Sequence, residues 1–208
     1  MKKGFTLVEL IAVLVILAII ALIVTPNIMV SIKAYKNQMY DTEIQALESA
    51  AGNWAADNPS EIPADDTFSL IITIKDLTDN FYFDKNVVDA KNGGKFDDDG
   101  HYTFVIISCK KIVDEFNAHE PTYDYTYEAY SSIKEYVKAK AVEYAKDNLL
   151  TAESTDISLN DELITNKYIN TNIKYVSSTE FLILSNYNIT ITAIPNSDNE
   201  YEYTAEID

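Results

Sequence analysis

The sequence predicts an α+β fold. A long N-terminal helical spine, transmembrane in its first half, packs on an antiparallel β-sheet and is followed by a second helix-plus-sheet module. Three observations predict it. Residues 10–24 contain no polar side chain, and helical spacing of apolar residues continues beyond them to about residue 57. Two β-branched, apolar runs follow, at 69–74 and 102–108. Segments after residue 121 then echo earlier ones in the same order.

The spine comes first. A bilayer core takes about 20 mainly apolar residues as a helix. Residues 5–24 supply that length, with Thr6 and Glu9 as their only polar members. Lys2 and Lys3 precede the run and a mostly acidic chain follows it, so the positive-inside rule places residues 1–4 in the cytoplasm. A cleaved secretory signal fits poorly, because the apolar core is long and "VTPNIM" is a poor cleavage site. An ordinary anchor leaves Glu9 unexplained, since an ionisable group within a span is costly and needs a partner.

Past the membrane, Ile28, Ile32, Tyr35 and Met39 keep the three-to-four spacing, and Leu47, Ala50, Ala51 and Trp54 resume it. One helix over residues 5–57 would be roughly 80 Å long. Pro26 removes one backbone donor and is the expected kink. "DNPSEIPADD" ends the helix. The sheet then begins, its two strands separated by the turn-rich "NGGKFDDDG" at 92–100.

The second module rests on ordered matches. "NWAADN" parallels "EYAKDN", "ITIKDLTDNFYF" parallels "ISLNDELITNKYI", and "YTFVIIS" parallels "EFLILSN" and "YNITITAI". A last strand is "YEYTAEI". The apolar spacing of Ala129, Ile133, Val137, Ala141 and Tyr144 predicts a helix over residues 127–149. The competing reading is one elaborate head with a long inserted helix.

Composition restricts the chemistry. The 208 residues carry a net charge of −17, which disfavours nucleic-acid binding through a broad basic face. The lone Cys109 lies in an apolar run and reads as a buried thiol. With two histidines, His101 and His119, and no phosphate loop, nucleophile elbow or zinc spacing, no enzyme is expected and no cofactor is called for. Asp97, Asp98 and Asp99 before Gly100 are candidate calcium ligands, set against the plainer reading of a solvated turn. Tyr123, Tyr125, Tyr127 and Tyr130 form a cluster that is either packing between two heads or an exposed partner-binding patch.

The stretch "KKGFTLVEL" resembles the class III leader and start of type IV pilins and pseudopilins. The match rests on Gly4, Phe5, Thr6, Leu7, Glu9 and Leu10, followed by an unbroken apolar run. The resemblance implies cleavage between Gly4 and Phe5 by a prepilin peptidase and methylation of Phe5. It gives Glu9 an assembly role, meeting the N-terminal amine of a neighbouring subunit, and sets Pro26 where such helices bend. It further implies other pilin subunits, an assembly platform and an ATPase as partners. The chain would be a single-pass membrane protein before assembly and part of an extracellular pilus afterwards, serving adhesion or motility.

The expected division is a leader at 1–4, a transmembrane and assembly helix at 5–25, a first headgroup at 26–120 and a second at 121–208. In arrangement alone this resembles the dual-head minor pilins of some Gram-positive bacteria. One cysteine cannot reproduce the cysteine-rich metal binding of such a protein, so no zinc site carries over. Bulk favours a minor or tip subunit. The rivals are a pseudopilin of a secretion or DNA-uptake machine and an anchored binding protein that never polymerises.

Overall fold

The computed structural model describes residues 6–91, 93–96, 103–112, 122–148, 150–151, 154–176, 182, 184, 187–196 and 200–207, without the side chains of residues 22–27 and Lys111. Helix α1 (Leu7–Asp57) is the spine. Strand β1 (Ser69–Thr73) leads into the short α2 (Ile74–Asp79), and β2 (Phe104–Ile112) and β3 (Thr122–Tyr130) complete an antiparallel meander. Then come α3 (Ile133–Asp147), β4 (Ser154–Ser158), a π-helical turn (Leu159–Ile164), β5 (Ile173–Tyr175), β6 (Asn188–Pro195) and β7 (Tyr201–Ile207).

Two sheets result. The first has the order β3-β2-β1-β5 and the second β4-β6-β7. In the first sheet, alternate residues face opposite layers, as the period of two requires. Leu70, Ile72, Val105 and Ile107 pack with Leu47, Ala50, Ala51 and Trp54 of α1. Ile71, Phe104 and Ile106 face the other way and join Val137 and Ala141 of α3, with Ile189 and Ile191 of the second sheet. The order of layers is therefore α1, first sheet, α3, second sheet. Both faces of the first sheet are covered, which is why β1 and β2 read as continuous apolar runs.

Strand β5 joins the halves. It pairs in parallel with β1, with Ser69 opposite Ile173, and Ser69 N–H donates to the Asn172 carbonyl at 2.9 Å.

Thr122–Tyr130, which sequence spacing assigned to the second module and partly to its helix, is instead the edge strand of the first sheet, in register with β2 over its whole length. The reason is a period of two: Tyr123, Tyr125, Tyr127 and Ala129 alternate with Thr122, Asp124, Thr126 and Glu128. The helix starts only at Ile133, where Ser132 accepts from Glu135 N–H at 3.2 Å. Of the residues expected on its buried face, Val137 and Ala141 are fully buried, while Ile133 and Tyr144 are partly so. The strand expected at 180–186 falls largely outside the described residues.

The two halves share local chemistry. Each begins with a helix closed by an asparagine: the Asn58 and Asn148 side-chain amides donate to the carbonyls of Trp54 and Tyr144, at 2.8 and 2.9 Å. Each helix's last residue, Asp57 or Asp147, accepts a hydrogen bond at 2.8 Å from a tyrosine, Tyr82 or Tyr168. A strand then runs into a capped helical turn, with Thr73 accepting from Asp76 N–H and Ser158 from Asp161 N–H. Both turns close with the pair of backbone bonds that requires one left-handed residue. Tyr82 N–H reaches Leu77 O and Tyr168 N–H reaches Leu163 O, at 2.9 and 2.8 Å. The left-handed residues are Phe81 (φ 64°) and Lys167 (φ 63°) rather than glycine.

Among the described residues no helix is long and apolar enough to cross a membrane. The expected span at 5–24 reaches Phe5 and residues 22–24, which lie outside the described side chains. The helix itself continues past residue 26, and the kink expected at Pro26 likewise concerns a side chain outside the described set.

Candidate assembly and processing site

Gly4 and Phe5, the expected cleavage and methylation residues, lie outside the described residues. The structure begins one residue later, at the cap of α1. Thr6 is extended (φ −78°, ψ 151°), and its hydroxyl oxygen accepts from Glu9 N–H at 3.3 Å. In return the Glu9 carboxylate accepts from Thr6 N–H and from the Thr6 hydroxyl, each at 2.9 Å. This is a reciprocal capping box, and its Thr-x-x-Glu signature stands in the sequence. Sequence reasoning had read Glu9 only as an intermolecular partner. The cap gives Glu9 a local role and orients its carboxylate toward the start of the chain.

Beyond the cap, α1 is apolar all round, and nothing among the described residues covers it. Leu10, Ile11, Val13 and Leu14 point in successive directions around the axis, yet each is 50–57% exposed. Burying a large apolar side chain is worth about 1.5–3 kcal/mol. A helix apolar on every side is stable only where lipid or other apolar helices surround it. The exposed apolar surface continues through Ile28, Ile32, Tyr35 and Met39 to the base of the head.

The remaining candidates resolve differently. Cys109 is buried on β2, and burial pushes its thiol above the usual range, so it is a poor nucleophile. His101 and His119 lie outside the described residues, as do Asp97, Asp98 and Asp99. Among the described residues no group of three His, Cys, Asp or Glu side chains is placed to hold a metal. The tyrosine cluster divides between layers. Tyr125 donates to the Pro63 carbonyl at 2.9 Å, and the Tyr127 ring packs over Gly52 of α1. Tyr130 meets Tyr136 edge-on at 5.1 Å, while Tyr123 is 41% exposed.

Sequence reasoning missed a polar cleft of about 680 Å³ between the first sheet and α3. At its wall Lys140 contacts Glu128 at 2.9 Å and Glu143 at 3.0 Å. Burial works against the Lys140 charge, but the two carboxylates outweigh it and hold the amine above its usual range. Only the 140–143 contact had a sequence signal, the i,i+3 spacing; Glu128 arrives through the unrecognised strand β3.

No curated protein and no solved structure matches this chain. Residues 1–25 match the family described as the prokaryotic N-terminal methylation motif. That match covers the cap, the carboxylate of Glu9 and the start of the bare apolar helix. The N-terminal segment therefore carries the prokaryotic N-terminal methylation motif, the class III prepilin leader, which supports a place for the chain among type IV pilins and pseudopilins.

Proposed function

We propose that the chain is a structural subunit of a type IV pilus, cleaved after Gly4, methylated at Phe5 and held in the cytoplasmic membrane by residues 5–25 until it is assembled. The observation that carries this is the coincidence of the methylation motif with an apolar helix that none of the described residues covers. Lipid covers such a helix before assembly, and the helices of other subunits cover it afterwards. Cleavage creates a positive amine one residue before the cap. In a low-dielectric bundle the Glu9 carboxylate needs such a charge, and the amine of a neighbouring subunit supplies it. The role is structural rather than enzymatic. Prepilin peptidase, an assembly platform and an ATPase are the implied partners.

The head is a duplicated unit in this reading. The paired Asn-closed helices, Tyr–Asp bonds and left-handed turns described above support it. The junction then falls after Tyr130 rather than after residue 120, because β3 belongs to the first sheet. Two packed sheets make a bulky head, which favours a minor or tip subunit with an adhesive or motility role.

Shearing native cells and identifying the N-terminal peptide by mass spectrometry tests the reading. A peptide beginning at methylated Phe5 in sheared filaments is the expected result. The same peptide confined to membranes would point to a pseudopilin. An uncleaved N-terminus in membranes alone would leave a plain anchored protein and defeat the proposal.

A further inference from the structure

Phe81 has no structural reason to be a phenylalanine. Its side chain is 95% exposed, more than any other large apolar residue among those described. Its backbone is left-handed at φ 64°, a conformation that suits glycine or asparagine and that bulky L residues rarely adopt. The matching position in the second half, Lys167, meets the same backbone demand with a charged side chain that reaches Asp66 at 3.8 Å. The turn therefore asks only for the left-handed backbone. A bare aromatic ring held there is a ring presented to something else.

Its place in the fold says to what. Tyr82, the next residue, is bonded to Asp57 at the C-terminal end of α1, so Phe81 projects at the end of the head remote from the membrane helix. The nearby carboxylates are Asp57, Asp79 and Asp84, set against Lys75, which pairs with Asp79, and Lys85, which follows Asp84, so carboxylates are in excess. At the opposite end of the head, the neck of α1 presents Ile32, Tyr35 and Met39, exposed by 52%, 63% and 40%. Helical spacing sets Lys36 on the same face. Lys33 and Lys36 are the only basic residues between Lys3 and Lys75, and among the described residues neither forms an ion pair. The two ends are thus complementary, an aromatic ring on a surface with an excess of carboxylates and an apolar face bearing Lys36. The neck face also continues the face that docks the sheet: Ile32 and Ala50 are five turns apart, so the patch lies directly below the head.

We propose that Phe81 of one copy inserts against Ile32, Tyr35 and Met39 of the next copy, with Lys36 facing the acidic side of the ring at Asp84. Contacts between different patches of identical chains build a ring where the rotation closes and an open assembly where it does not, and a contact offset along the helix axis gives the open form. Position 36 and the end of α1 are 21 residues apart, so successive heads are offset by about 31 Å along the helix. This rests on the filament reading but is separable from it.

The test places the photocross-linker benzoylphenylalanine at position 81 of the full chain in native cells. Cross-linked peptides are mapped in sheared filaments and in membranes. Linkage to residues 28–39 in sheared filaments is the expected result and supports both ideas. The same linkage in membranes alone keeps the contact and removes the filament. Filaments that contain the chain without this linkage overturn the contact and leave the filament. No linkage in either fraction, or linkage only to another protein, also overturns the contact. In parallel, Phe81→Asn suits the left-handed backbone, so its thermal midpoint is expected not to fall. Its recovery in sheared filaments is expected to drop at least fivefold at unchanged membrane levels, and wild-type recovery would count against the contact.

Discussion

Leu163→Ala asks whether the two cores are one cooperative structure. Leu163 is fully buried in the core formed by α3 and the second sheet. Trp54, the single tryptophan, is 4% exposed in the other core, between α1 and the first sheet. The cores share β1, where Ile71 faces one and Leu70 and Ile72 face the other, and they share the β1–β5 pairing. Removing a buried leucine side chain costs about 2.7–5 kcal/mol, the upper end applying where the cavity cannot collapse. Taking about 3 kcal/mol, and about 2–4 °C per kcal/mol for a chain of this size, the midpoint falls by about 6–12 °C. The assay is thermal unfolding of the detergent-solubilised chain, followed by tryptophan fluorescence and by far-ultraviolet circular dichroism. Because the sheet is shared, both signals should fall together, although the mutation is remote from Trp54. A fluorescence midpoint that stays put while the dichroism splits into two steps would refute the shared-sheet reasoning and show two independent domains.

Three further outcomes are expected. Glutamine at the ninth position preserves the capping box but not the charge, whereas alanine at the sixth breaks the cap and keeps the charge. Glu9→Gln should therefore insert in membranes yet fail to enter filaments, and Thr6→Ala should enter them; equal behaviour of the two would reduce Glu9 to a cap. Burial, then the charge of Glu128, holds the Tyr130 and Tyr136 phenols well above their usual range, so the folded chain keeps those protons when the unfolded chain has lost them. Their contribution is complete below about pH 10 and is lost above it, by up to about 1.4 kcal/mol per pH unit for each group, and Tyr136→Phe should flatten that slope in a pH series of melts. A β-carbon on Gly52 would sit 3.8 Å from the Tyr127 ring, an ordinary contact, so Gly52→Ala should stabilise α1 by about 0.5–1 kcal/mol in denaturant titrations.

Much of this structure could be read from the residues, and the failures have definite causes. The spine was legible to its last turn, because apolar spacing and the "DNP" stop agree. Strand β1 was found within one residue of its end, and β2 was placed correctly but begun two residues early and ended short, since Lys110 and Lys111 break its apolar run. Strand β3 was lost because Ala129, Ile133, Val137 and Ala141 recur every four residues, and that spacing masked the period-two alternation of the tyrosines before it. Strand β5 spans three residues, too few for any period to show. The Thr6–Glu9 cap was written in the sequence and overlooked because the membrane context offered Glu9 a more conspicuous partner. The Lys140 triad and the exposure of Phe81 depend on elements distant in the chain, so local pattern could not supply them.

If the chain is a membrane-anchored pilin as proposed, the pairing of Ser69 with Ile173 also dictates an order of events during export. Residues 5–25 stay in the membrane while the first three strands emerge from it, before β5 has been made. In that interval Ile71, Phe104 and Ile106 form one side of a young sheet with nothing upon it. Closing the long loop between β1 and β5 is entropically slow, and that side stays wet until α3 and the second sheet arrive. A chain stalled or clipped near residue 131 would keep an anchor and a sticky half-sheet, and could disturb its neighbours in the membrane more than complete absence would.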